Sequence, residues 1–216
     1  MKRLVLLVAV VFALSSVASA AIITSVDRSN GTSGNRSPIG SFDGETQPLA
    51  SDGTLADGLH VFSDRDYPWA NTPSELVGAE YIRTFNTDKG GTGSDTVTYD
   101  VTIGQPAILA VTVDNRFPDD GFTLQSKVDE VVSAFAAPGT FVDTGLDLYI
   151  REDMTEPYDT DRPMSVFASP VMGPGTYTFG PSQSNRNFYT IGAMVPEPMT
   201  IALLGLGGLG LIRRKR

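Results

Sequence analysis

The chain has no cysteine among its 216 residues and only one histidine, His60. Without cysteine there are no disulfides, no thiolate nucleophile and no zinc–thiolate centre. One imidazole excludes a multi-histidine metal site. Basic residues are scarce: 16 Lys and Arg stand against 25 Asp and Glu, for a formal charge of −9. That balance argues against a nucleic-acid partner. The sequence contains no Gly-x-Ser-x-Gly turn, no EF-hand spacing and no repeat at a fixed period. Tryptophan occurs once, as Trp69.

What the chain does have is most distinctive at its two ends. Lys2 and Arg3 precede an apolar run over residues 4–14, and small residues follow to Ala18-Ser19-Ala20. A charged start, a short apolar run and an A-x-A site form the pattern of a secretory signal peptide over residues 1–20, cut after Ala20. At the other end, residues 199–212 are apolar and glycine-rich, and Arg213-Arg214-Lys215-Arg216 follows. As a helix at ~1.5 Å per residue this segment reaches about 21 Å, short of a ~30 Å hydrocarbon core. Four adjacent cations do not enter a protein core unpaired, but they hold well on the cytoplasmic side of a membrane, where snorkelling lengthens the effective span. A transmembrane helix over residues 199–212 is therefore expected. Its four glycines weaken it and suit a transient anchor.

Pro196-Glu197-Pro198, the apolar segment and the basic end, in that order, resemble the PEP-CTERM sorting signal of exosortase substrates. The resemblance implies recognition by a membrane-embedded exosortase, removal of the tail near Pro196, Glu197 and Pro198, and passage to the cell surface or extracellular matrix. It also implies a bacterium that makes exopolysaccharide. The partners expected are thus the export machinery, exosortase, the membrane and exopolysaccharide. Loss of both ends removes six cations and leaves 10 basic residues against 25 acidic ones, so the net charge moves from −9 to −15.

Between the ends, residues 21–57 are rich in Ser, Gly, Asn and Asp and read as a flexible leader, from which residues 22–23 and 39–42 could dock. Residues 58–195 form the domain. Residues 96–103 alternate strictly, with Val97, Tyr99, Val101 and Ile103 on one face. Residues 107–113 follow the turn Gly104-Gln105-Pro106 and are expected to pair with them as a hairpin. Further strands are expected at 59–62, 79–85, 146–151, 165–168, 176–179 and 188–195. One short helix is expected at 127–135, from Val128, Val131, Val132 and Phe135. Many short strands and one helix predict a mainly β fold, a single antiparallel β-sandwich. The succession from Gly58-Leu59-His60-Val61-Phe62, through Glu80-Tyr81-Ile82-Arg83-Thr84, to Val113-Asp114-Asn115-Arg116 resembles a galactose-binding-like jelly-roll module, with Gly175 to Phe179 as its late strand. Such modules occur beside polysaccharide-degrading enzymes and in bacterial surface proteins. The insertion around residues 127–138 departs from that pattern.

Several residues are candidates for chemistry. Tyr67-Pro68-Trp69 places two aromatics in a loop, where they would either stack on a sugar ring as ligand contacts or cap the core, the latter being the commoner fate of a large aromatic. Asp114, Asp119 and Asp120 follow a strand and have the hard oxygen ligands that calcium takes; Asp and Gly are also what turns require. Residues 88–95 form a second acidic, glycine-rich loop. Asp64, Asp66, Glu80, Asp114, Asp119 and Asp120 are a pool from which a carboxylate pair for glycoside hydrolysis would be drawn. No positioned pair is readable, so the expectation is a binding or structural module without catalytic residues, and the alternative is a small polysaccharide-active hydrolase or lyase. Apart from calcium no cofactor is expected.

Overall fold

The computed structural model describes residues 21–29, 55–88, 97–152, 162–181, 186–187 and 189–196. The expected signal peptide with Ala18 and Ala20, residues 39–42, most of the 88–95 loop, Glu197, Pro198 and the apolar tail all lie outside them. Among the described residues no helix is long and apolar enough to cross a membrane.

Among the described residues nine strands build two antiparallel sheets. They are β1 (Ile23–Arg28), β2 (Trp69–Ala70), β3 (Glu80–Ile82), β4 (Tyr99–Ile103), β5 (Ala107–Asp114), β6 (Val142–Ile150), β7 (Arg162–Met172), β8 (Gly175–Phe179) and β9 (Thr190–Met194). The small sheet has the order β1-β4-β8, and the large one β2-β6-β7-β5-β9-β3. One helix, α1 (Leu124–Val132), lies against β5 and β8. The fold is thus mainly β, with one helix and two sheets.

The alternation in β4 is realised: Tyr99, Val101 and Ile103 are buried, while Asp100 and Thr102 are half-exposed. In contrast β5 is buried at nearly every position, because both faces of the large sheet are covered. Ala110 and Thr112 lie on the face that Leu55, Trp69 and Leu76 cover. Leu109, Val111 and Val113 point the opposite way into the core. Across the sheets, Tyr99 meets Tyr189 edge to face at 6.4 Å, and Phe135 meets Phe179 at 5.0 Å and Phe141 at 6.1 Å.

The expected hairpin between residues 96–103 and 107–113 does not form. Both edges of β4 are occupied, by β1 and β8, and β5 sits between β7 and β9. The turn at Gly104-Gln105-Pro106 therefore carries the chain from one sheet to the other. Gly104 fits closely there: a Cβ would stand 2.8 Å from the Thr24 methyl, and its N–H donates to the Ile22 carbonyl at 2.9 Å.

The leader reading is corrected at its start. Residues 23–28 form β1, paired with β4 along its length, with Ile23, Val26 and Arg28 turned inward. Two carboxylates fix this strand. Glu80 accepts the N–H groups of Ile22 and Ile23, each at 2.7 Å. Asp88 accepts Arg28 Nε at 2.7 Å and Nη2 at 2.5 Å, and also the Tyr99 hydroxyl. The Arg28 guanidinium lies over the Phe85 ring at 4.6 Å. Residues 59–62 form no strand, only isolated bridges from His60 to Pro68 and from Phe62 to Thr84. The helix begins three residues earlier than expected, because the Thr123 hydroxyl accepts the Ser126 N–H at 3.0 Å and caps it. Val128, Val131 and Val132 are its buried face, as the spacing predicts, and Phe135 lies beyond its end.

Candidate functional site

At one end of the sandwich β9 runs out into the sorting motif. This strand is internal, flanked by β5 and β3, and Ile191 and Ala193 are fully buried. Thr190 and Thr112 share a hydroxyl–hydroxyl hydrogen bond, and the Thr84 hydroxyl donates to the Tyr189 carbonyl at 2.7 Å. Val195 follows Met194 directly and is exposed, and Pro196 comes next. Ala193 stands opposite Glu80, the residue that clamps Ile22 and Ile23. The start of β1 and the end of β9 are therefore brought to the same end of the domain. Beside them lies an apolar pocket lined by Leu55, Trp69, Leu76, Ala110, Gly192 and Met194.

The other end of the sandwich is charged. Asp114 is fully buried and accepts Arg116 Nε at 2.8 Å, Arg116 Nη2 at 2.5 Å, and the backbone N–H groups of Arg116 and Asn187. Burial opposes its ionisation, yet these donors outweigh the desolvation and hold its carboxyl below the ordinary Asp range. Glu152 joins this cluster through Arg162 at 3.1 Å and the Asn187 amide at 2.7 Å. Asp120 is paired with Arg186 at 2.8 and 3.0 Å, and Asp119 lies 3.7 Å from the same guanidinium.

This geometry changes the reading of the sequence-selected residues. Asp114, Asp119 and Asp120 are not gathered into one ligand set: Asp114 is taken by Arg116, the other two by Arg186. Among the described residues, no group of three or more His, Asp or Glu side chains has the spacing to hold a metal ion. Trp69 is 1% exposed and meets Tyr81 edge to face at 6.2 Å, so its ring offers no free face to a sugar; it caps the core. Tyr67 is half-buried and packs on the same core. His60 faces Asp66 at 3.1 Å. Asp64 accepts the Asn86 N–H at 2.7 Å. The Arg28–Asp88–Tyr99 cluster is the arrangement that sequence reasoning missed. Its one sequence signal is an arginine at an inward position of an alternating segment.

Residues 195–216 match the PEP-CTERM protein-sorting motif. The chain thus carries the recognition signal of exosortase and is an exported protein with a C-terminal sorting signal. No curated protein matches it. Among solved structures, a β-glucuronidase from glycoside hydrolase family 2 aligns with 19% identity and a TM-score of 0.44. That alignment covers 65% of this chain, which spans only 13% of the glucuronidase chain.

Proposed function

We propose that this protein is an exosortase substrate made as a membrane-tethered precursor and delivered to the cell surface or extracellular matrix. There its β-sandwich acts as a structural or binding module, with polysaccharide as the ligand class. In this reading residues 1–20 direct export, residues 199–212 hold the precursor in the membrane, and cleavage near Pro196, Glu197 and Pro198 frees the domain. The observation that carries the reading is the sorting motif at residues 195–216, beginning directly after β9. The placement suits cleavage, because the β9 ladder ends at Met194 and a cut beyond Val195 severs no sheet hydrogen bond. The resemblance of residues 58–194 to galactose-binding-like modules supports the ligand class. A non-catalytic role is consistent with carboxylates occupied by arginines and backbone donors.

Deleting residues 199–216 tests the sorting step. The truncated protein is expected in the medium as a soluble form, unprocessed by exosortase. Delivery and processing like those of the full chain would sink the proposal. Glycan-array binding by residues 21–195, with and without calcium, tests the ligand class.

A further inference from the structure

We propose that the end of the sandwich from which the tail leaves is a lipid-facing surface, and that the precursor rests on the bilayer through it. The proposal builds on the membrane tether described above. The register of the large sheet sets Val171 of β7 beside Ile108 of β5, and Ile108 beside Met194 of β9, as a row across three strands. Val171 is 55% exposed, and Ile108 and Met194 are half-exposed. Val195, the residue after Met194, is 44% exposed, and Val77, in the turn leading into β3, is 58% exposed. Three of the five large apolar side chains found exposed among the described residues therefore lie at this end.

The same end carries little charge. Its turns, Gly104-Gln105-Pro106 and Gly173-Pro174, have no ionisable side chain. Glu80 is engaged by the backbone of Ile22 and Ile23, and the Glu75 carboxylate accepts the Ser74 hydroxyl at 3.1 Å. The charged side chains Asp114, Arg116, Asp120, Glu152, Arg162 and Arg186 cluster at the opposite end. A domain with so large an acidic excess is repelled by anionic lipid least at the end where exposed apolar side chains outnumber carboxylates.

Chain length then imposes the approach. Four residues, 195–198, lie between Met194 and residue 199, where the apolar segment begins, a span of five residue steps. Fully extended they reach about 17 Å. The headgroup layer occupies about 5–8 Å of that distance. The tethered domain thus cannot move far from the interface, and at such effective concentration a few exposed valines suffice to orient it. Facing the bilayer in this way holds Pro196 at the headgroup level, within reach of a membrane-embedded enzyme.

The absence of cysteine makes the test clean, since each single-cysteine variant carries one label. Full-length Val171→Cys and Asp119→Cys are labelled with an environment-sensitive fluorophore and reconstituted into phosphatidylethanolamine–phosphatidylglycerol vesicles containing spin-labelled lipid. Asp119 is at the charged end and 73% exposed. The label at 171 is expected to be quenched several-fold more than the label at 119. Equal quenching in protein that floats with the vesicles would overturn the lipid-facing surface while leaving the tether intact. Protein that does not float would overturn both. Val77→Asp, introduced into both labelled variants with an unchanged melting curve in detergent, should at least halve the difference; an unchanged difference would also refute the proposal.

Discussion

Replacing Asp88 tests whether β1 is part of the folded domain. The Asp88 side chain is wholly buried and Arg28 is nearly so, and their bidentate contact ties the start of the chain to the turn before the small sheet's central strand. Asp88→Asn keeps the shape but removes the charge. Arg28 is then left buried without its counter-ion, which costs about 3–5 kcal/mol. Domains of this size are stable by only about 5–15 kcal/mol, so the loss is large. At about 2–4 °C per kcal/mol, the melting midpoint should fall by roughly 6–20 °C. The double variant Arg28→Met, Asp88→Leu should recover much of that loss, because no isolated charge remains in the interior. The assay is a thermal melt followed by near-ultraviolet circular dichroism, with the two single variants completing a cycle. A loss below about 1 kcal/mol for Asp88→Asn, the usual size for an exposed pair, would refute the reasoning. It would mean that β1 is not docked, and residues 21–29 would revert to a leader.

Four further outcomes follow from named contacts. Burial, reinforced by Asp88, raises the Tyr99 hydroxyl well above its ordinary value, and burial also raises Tyr189. For groups raised in the folded state, stability is fully present below the unfolded value of about 10 and is lost as pH rises beyond it; denaturant midpoints should therefore hold steady up to that pH and then fall, and phenolate absorbance should show two late-titrating tyrosines. Asp114 is held low, so its contribution is present above the ordinary Asp range and is lost as pH falls through the folded value; Asp114→Asn should flatten that acid limb of the stability profile. With Asp114 on Arg116 and Asp120 on Arg186, melting curves in EDTA, calcium and magnesium at matched ionic strength should coincide, and a calcium-specific rise of several degrees would reveal a site. Val101→Asp buries an unpaired charge and should unfold the domain, whereas Thr98→Asp, on the half-exposed face, should not; equal melting points would show that the two faces of β4 are reversed.

The parts of the fold legible in the sequence are those set by local pattern. Tyr99, Val101 and Ile103 alternate because β4 has one buried face, and Val128, Val131 and Val132 repeat at helical spacing because α1 has one buried stripe. Strand partners were not legible. The Gly-Gln-Pro turn announces a reversal, but whether β5 joins β4 depends on β1 and β8, which lie some 75 residues away on either side in sequence. β1 itself was hidden by its composition: Thr24, Ser25 and Asp27 look like leader, and the strand exists because Glu80 and Asp88 hold it. The pairing of Asp119 and Asp120 with Arg186 was not legible for the same reason, since Arg186 is distant in sequence. The sorting motif was legible because it is a linear signal, defined by order along the chain and independent of the fold.

The topology also explains how a sheet domain can carry such a tail without unravelling. A tail joined to an edge strand would transmit any pull to one ladder, and that strand could peel. Here the tail continues from β9, which is hydrogen-bonded on both sides to β5 and β3. β5 is in turn the most deeply buried strand of the large sheet, so the tether is attached to the part of the fold with the most apolar surface removed from water. The edges are managed separately: the large sheet ends in β2 and β3, of two and three residues, too short to template pairing with another chain. A domain without disulfides thus gains resistance to traction from the strand order of its large sheet. The stretch immediately beyond Met194, where the ladder ends and the motif begins, is left open to cutting.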